Sequence, residues 1–387
     1  MSVSPTTNNQ VTAYQVITAQ AQLLEFCQQV REQGWVAIDS EFVRTRTYYA
    51  KLGLLQANCG HGAVLIDPLV GLDLKPFWRL VGDADIVKVM HAAGEDIQLF
   101  WQQGGVQPQH LLDSQIAAAF LGWGDSLGYA ALVERYYDIS LDKSQSRTDW
   151  LARPLSEAQL AYAADDVIYL ARFYADLRER LVSEERLQLT LQESAQQVDK
   201  RCFEPPLALR YLDVGNAWQL NTRQLAVLRE LCQWRVSRAQ QQDIPLNFVV
   251  KEGALMALAK RPPQQKQHLY QIEGLPPITR KYAADEMMAC VERGLSLNDD
   301  ELPPVLQRLT HMPRYQECFD RIKALVAEQA ERLQIGTAQI ASRKQINDAM
   351  QWCWQYQPSI QAQLNPPDLL QGWREQLLGA EIRAILR

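Results

Sequence analysis

Two carboxylates close an apolar run early in the chain. Asp39 and Glu41 stand near the end of residues 35–42, Trp-Val-Ala-Ile-Asp-Ser-Glu-Phe. In an extended strand, residues i and i+2 share a face, so both acids can converge on one ion. Like charges that close repel, and a divalent cation that prefers oxygen ligands, Mg²⁺ or Mn²⁺, offsets the repulsion. Alone, an Asp-x-Glu pair also reads as two solvated acids at an exposed strand end. Asp96 follows the apolar run 86–90 and falls in the first turn of a helix, where an acid also complements the helix dipole. Functional groups gather at the carboxyl ends of strands in α/β sheets, and these three acids come from two such ends. Tyr162 and Asp166 are four apart on a helix, hence one turn from each other on one face; Asp165 points about 100° away. In isolation that pair reads as a packed tyrosine beside a solvent-facing acid.

The elements that must carry these side chains follow from periodicity and punctuation. Helical spacing of Leu23, Leu24, Cys27 and Val30 ends at Gly34, a C-cap residue. Strands are predicted at 35–42, 52–57, 63–66, 86–90 and 110–113, with turn material at 58–62. Helices are predicted from about 95 and over 114–121, and the pattern stays helical from there to about 200. Ser156-Glu157-Ala158-Gln159 is a capping box that starts the helix of Tyr162 and Asp166. Residues 14 to about 200 therefore read as one α/β domain with a five-stranded mixed sheet. Residues 1 to about 12 lack apolar periodicity and charge, and read as a loose arm.

After Pro205 and Pro206 no strand pattern returns, so the remainder reads as all-α. At an offset of 91, Leu231, Trp234, Ala239, Ile244, Val249 and Leu255 align with Ile322, Leu325, Ala330, Ile335, Ile340 and Ile346. Two similar helical modules are expected, joined by the acidic, proline-containing stretch 298–304. The expected domains are 14–204, 208–295 and 300–387.

At this point the motifs resemble a known family. Asp39-x-Glu41, then His91-Ala92-Ala93-Gly94-Glu95-Asp96, then Tyr162-Ala163-Ala164-Asp165-Asp166 are similar to the three exonuclease motifs of the DEDD superfamily, tyrosine (DEDDy) subclass. Residues 38–49, 141–144 and 147–155 resemble the bacterial ribonuclease D family more narrowly. Trp218 and residues 224–235 resemble the opening of an HRDC domain, and that family carries two such modules. The second departs more from the pattern, with Val326 where Arg235 stands in the first.

The resemblance implies an RNase H-like catalytic domain followed by two HRDC-like domains. It implies a 3′–5′ exoribonuclease that trims structured RNAs such as tRNA precursors and releases nucleoside 5′-monophosphates with two divalent ions, Mg²⁺ or Mn²⁺. Two ions about 4 Å apart can generate the nucleophile and neutralise both the transition state and the leaving oxygen. By resemblance, Asp39 touches both ions, Glu41 and Asp166 complete the site of one, Asp96 holds the other through water, and Tyr162 hydrogen-bonds the attacking water. For substrate, Phe42 is assigned to base stacking and Lys143, Arg147 and Arg153 to phosphates, with solvated or core roles as the alternatives. His91 could reach the substrate or stand behind the ligands, but a structural histidine at a strand end is the favoured reading. Asp113 reads as structural, and Leu231, Trp218 and Trp234 as core of the first helical module. A proofreading-type DNA exonuclease and a non-catalytic nucleic-acid adaptor are the other readings. Intact acids at all four motif positions argue against the adaptor.

Composition narrows the setting. Hydrophobic residues make up 47% of 387 and charged residues 22%, which are globular values, and no run approaches the roughly 18 apolar residues of a membrane helix. Seven scattered cysteines with no Cys-x-x-Cys pair read as reduced thiols of a soluble cytoplasmic protein, and five dispersed histidines leave no zinc pattern. The net charge of -6 divides unevenly. Residues 1–200 hold 16 basic and 25 acidic residues, net -9, and residues 201–387 hold 23 and 20, net +3. The mildly basic half is the expected RNA-binding arm, with modest, salt-sensitive affinity. One chain supplies all three domains, so a monomer is expected.

Overall fold

The computed structural model describes residues 14–387. The arm at residues 1–12 lies outside the described residues. Contacts divide the described residues into two compact units, one of 14–43 with 50–202 and one of 44–49 with 203–387.

The first unit is built on a sheet of six strands, in the order β1-β4-β3-β2-β5-β6. They are β1 (Tyr14–Ile17), β2 (Trp35–Val43), β3 (Lys51–Asn58), β4 (Ala63–Ile66), β5 (Val87–Met90) and β6 (Leu111–Asp113). The antiparallel meander β2-β3-β4 sits at the centre, and β1, β5 and β6 add in parallel. The sheet is mixed as expected but has one strand more than five. β1 escapes sequence reading because four residues at an edge, abutting a polar arm, give periodicity too little length to register.

Helices cover both faces. On one side α1 (Gln20–Gln33), α2 (Lys75–Val81), α3 (Gly94–Gly104) and α7 (Leu187–Cys202) enclose a core with Val36, Ile38, Leu55 and Ala57. On the other, α4 (Ser114–Phe120), α5 (Tyr129–Tyr137) and α6 (Glu157–Ser183) pack on Ala37, Leu54, Leu65 and Val89. Alternate residues of β2 and β3 thus feed opposite cores, as a two-residue period requires. Gly34 ends α1 in the left-handed region (φ +72°), its N–H donating to the Val30 carbonyl at 2.9 Å. Ser156 caps α6 through a reciprocal pair with Gln159, at 3.2 and 3.0 Å. Residues 138–156 are irregular, against the continuous helical pattern expected there. Their turns are closed by local side-chain bonds such as Ser144 N–H to Asp142, which compete with helix formation.

The second unit is helical: α8 (Thr222–Gln242), α9 (Leu246–Val249), α10 (Glu252–Lys260), α11 (Pro277–Tyr282) and α12 (Ala284–Ser296), then α13 (Tyr315–Leu333), α14 (Thr337–Ile340) and α15 (Arg343–Gln355). α14 repeats α9, and the start of α15 repeats that of α10, each 91 residues on. The aligned Leu231 and Ile322, Val249 and Ile340, and Leu255 and Ile346 are all buried. Leu306 and Ile360 of the second repeat join the core of the first. Leu231 lies at the centre of that core, with Trp218 and Trp234 packed against it. Within this unit, the Tyr48 and Tyr49 N–H groups donate to Asp243, which caps α8, both at 3.0 Å. No helix of the described residues is long and apolar enough to cross a membrane.

Candidate active site

β2 delivers Asp39 and Glu41 on the α6 side of the sheet, and α6 delivers Asp166 and Tyr162 opposite them. One oxygen from each of Asp39, Glu41 and Asp166 lies within 4.8 Å of the others. Asp96 stands just outside this trio, because it approaches from the other layer at the start of α3. It is held there by Ser40, whose hydroxyl donates to the Asp96 carboxylate. Strand alternation explains the arrangement: Ser40, between the two acids, points to the face they do not.

The turn that aims Asp96 is fixed from β6. Asp113 accepts from the N–H groups of Ala92 and Ala93 at 3.0 and 2.9 Å, and from Gln115 at 2.8 Å as the cap of α4. Ala92 adopts φ +52°, a conformation costly for a residue with a side chain and held here by those bonds. Asp113 is a structural acid, as its sequence position indicates.

A bulge shapes the strand end. Glu41 pairs with Leu54 and Phe42 with Leu52, leaving Gly53 unpaired. A Cβ on Gly53 would stand 2.6 Å from the Trp150 carbonyl oxygen, so only glycine admits this approach. Arg153 fastens the same corner. Its guanidinium donates to Asp67 at 2.7 and 2.8 Å, to the carbonyls of Trp150 and Ala152 at 2.9 and 2.8 Å, and to that of Gly53 at 2.6 Å. All five donors are engaged, so Arg153 is a structural clamp and not the phosphate contact expected from sequence. Its charge also holds the Asp67 carboxyl below the usual range, against the opposing effect of burial.

The acids themselves are strongly perturbed. Burial, then the charge of Asp166, pushes Asp39 well up; burial, then Asp39 and Asp96, pushes Glu41 to about 9. Asp96 and Asp166 are likewise raised, first by burial and then by neighbouring acids. Tyr162 is raised too, by burial and by Asp166, Glu41 and Asp39, so its phenol is neutral. A half-buried group of carboxylates whose dominant charged neighbours are each other fits a hard divalent cation, since oxygen donors and unbalanced negative charge are what such an ion requires.

Beside the acids opens a cavity of about 360 Å³, lined among others by Tyr129, Leu141, Lys143, Gln145, Tyr162 and Asp166. Its size lies within the range of small-molecule sites. Lys143 and Arg147 are exposed on the irregular segment, and Phe42 is half-buried against the α1–α3 core. His91 is used inside the fold. Its Nδ1 lies 2.9 Å from the Ser114 hydroxyl, its ring meets Tyr129 edge-on at 5.5 Å, and its Nε2 is sealed from solvent. Burial lowers its pKa, which favours the neutral ring.

Sequence reading passed over two positioning groups. Ser40 is one; Tyr129 is the other, its hydroxyl donating to the Asp165 and Asp166 carbonyls at 2.9 and 2.6 Å. The motif spacing contains a signal for Ser40, a hydroxyl flanked by both acids. Tyr129 pairs with residues 36 and 37 positions away, for which local pattern gives no cue.

A mixed sheet with two strand-borne acids, a third acid at a helix start and a Tyr-x-x-x-Asp helix defines the class of the DEDDy 3′–5′ exonucleases. The comparisons agree. Residues 14–182 match the 3′–5′ exonuclease family model, 224–291 the HRDC domain, and 313–382 the C-terminal HRDC domain of ribonuclease D. Ribonuclease D of Escherichia coli (strain K12) is 40% identical over 97% of this chain and 98% of its own length. That of Haemophilus influenzae is 33% identical over 94% of this chain and 90% of its own. The crystal structure of the E. coli enzyme, described as an exoribonuclease involved in structured RNA processing, superposes with a TM-score of 0.91 over 97% of this chain and 98% of that one. The chain belongs to the ribonuclease D family of 3′–5′ exoribonucleases.

Proposed function

We propose that this enzyme trims the 3′ ends of structured RNAs, tRNA precursors among them, releasing nucleoside 5′-monophosphates in a reaction that depends on two divalent ions. The observation that carries the reading is the three-carboxylate cluster facing Tyr162 beside a cavity of about 360 Å³. Asp39, Glu41 and Asp166 would hold one Mg²⁺ or Mn²⁺, and Asp39 with Asp96 the second. Such ions, when bound, supply an acidified water and neutralise charge that develops on the phosphate and the leaving 3′ oxygen. The side chains do the positioning. Tyr162, kept neutral by its surroundings, orients the attacking water through its hydroxyl and does not remove a proton unaided. Ser40 fixes the Asp96 carboxylate, and Tyr129 fixes the turn of α6 that bears Asp166. Lys143 and Arg147 offer charge to RNA phosphates, and Phe42 a face for the terminal base.

The helical unit contributes a second RNA surface. Tyr270 and Tyr282 are 71% and 64% exposed, which is unusual for large aromatic side chains. The Arg280 guanidinium lies 5.1 Å from the Tyr270 ring centroid and the Lys281 ammonium 4.9 Å from that of Tyr282. Rings with adjoining cations offer stacking and phosphate attraction together, the chemistry of single-stranded nucleic-acid binding. Next to Tyr270 in sequence, a cavity of about 530 Å³ is lined by Lys260, Arg261, His268 and Gln271 among others.

Incubation of a 5′-labelled RNA, and of its DNA equivalent, with Mg²⁺ or Mn²⁺ tests the reading. Stepwise shortening of the RNA is expected. Preferential loss of DNA would transfer the assignment to a DNA exonuclease, and binding without cleavage to an adaptor.

A further inference from the structure

Gln56 of β3 is fully buried, and neither polar atom of its side-chain amide has a hydrogen-bond partner. Buried amides are almost always paired, so one with both ends vacant calls for a reason. Its register supplies one. Gln56 stands directly opposite Asp39 in the β2–β3 ladder, and opposed residues project to the same side of a sheet with Cβ atoms about 4.5–5.5 Å apart. That side is the one covered by α6. Leu54, two residues before Gln56, and Leu65, its partner on β4, pack with Ala163, Ala164 and Val167, while Leu55 and Ala57 face the opposite core. An apolar residue would continue this surface without penalty; an amide there serves a polar neighbour.

We propose that Gln56 is a positioning residue for Asp39: in the cation-loaded site its amide N–H donates to the Asp39 carboxylate and fixes the orientation in which the oxygens meet Glu41 and Asp166. The inference rests on the reading of the acids as a divalent-metal site. Hydrogen-bond partners of metal-ligating carboxylates typically change metal affinity by about 10–100-fold when removed. A hydrogen bond from this amide to Asp39 would couple Gln56 to ion binding through the carboxylate that it orients.

The test is a titration of Mn²⁺ alone into the full-length chain, followed by calorimetry, beside melting curves without metal. Gln56→Leu and Gln56→Met keep the approximate volume and remove the amide. Expected is Mn²⁺ affinity about tenfold weaker, with a metal-free Tm that is unchanged or higher because no unpaired amide is buried. An isotherm equal to wild type in the folded variants overturns the proposal. So does weaker binding with a parallel fall in metal-free Tm, or failure of both variants to fold, since either marks a glutamine needed for the fold itself. A wild-type chain that binds no Mn²⁺ overturns the metal reading first, and this inference with it.

Discussion

The two units treat their acidic residues in opposite ways. In the helical unit, Glu286 is bound by Arg238 at 2.6 Å and by the Trp234 indole, Glu230 by Arg293 at 3.0 Å, and Asp299 by Arg223 at 2.7 Å. In the sheet unit, Asp39, Glu41, Asp96 and Asp166 are crowded together, and their pKa values are raised chiefly by burial and by one another. Asp67, in the same unit but outside the site, does receive an arginine. The sheet unit can therefore set an arginine against a buried acid, as at Asp67, and backbone N–H groups against another, as at Asp113, while no cation is among the groups that shift the four site acids. Stability is given up at the place where chemistry is done.

Asp39→Asn should erase this contrast most completely. Turnover is expected to vanish, together with the rise in Tm expected from Mg²⁺ or Mn²⁺ in the wild type; a surviving metal-induced shift would place the cation elsewhere. Tyr162→Phe leaves the acids intact and removes only the hydroxyl. It should lower kcat by about 10²–10⁴-fold with RNA and Mn²⁺ binding nearly unchanged, and equal turnover would end the role given to the phenol.

The crowding also predicts a pH dependence. A carboxyl whose folded pKa exceeds its unfolded value binds protons in the folded state that the unfolded chain has released. With Glu41 near 9 against an unfolded value of about 4.3, metal-free stability should fall as pH rises between roughly 5 and 9. Saturating Mg²⁺ should flatten that slope, and Glu41→Gln should reduce it without metal. Melting curves across the range, with and without Mg²⁺, measure both. In the helical unit the expected effect is smaller: Tyr270→Ala with Tyr282→Ala should weaken RNA binding about tenfold and leave cleavage of a dinucleotide unchanged. Loss of dinucleotide cleavage would mean that these rings do more than hold RNA.

What the sequence reveals follows the range of the interactions involved. Four of the five motif residues were legible from a local period, two along a strand and four along a helix, and Asp96 from its place at a helix start just after a strand. The doubling of the helical modules was legible because a repeat carries its own register. Arg153 misled because its partner, Asp67, is 86 residues away, and a cation on an irregular segment looks the same whether it meets a phosphate or a carboxylate. The same holds for Gln56, whose significance depends on which residue of β2 it opposes. Tyr270 and Tyr282 passed unnoticed because an aromatic at a helix edge has no sequence mark of exposure.

Gly53 has no functional group, no charge and no contact with substrate in any step above. Yet the added methyl of an alanine would meet the Trp150 backbone, in the corner that Arg153 ties down and directly beside the register shift after Glu41. A screen that ranks positions by chemical capability would place this glycine last; one that ranks them by mutational tolerance should find it among the most intolerant positions of the sheet.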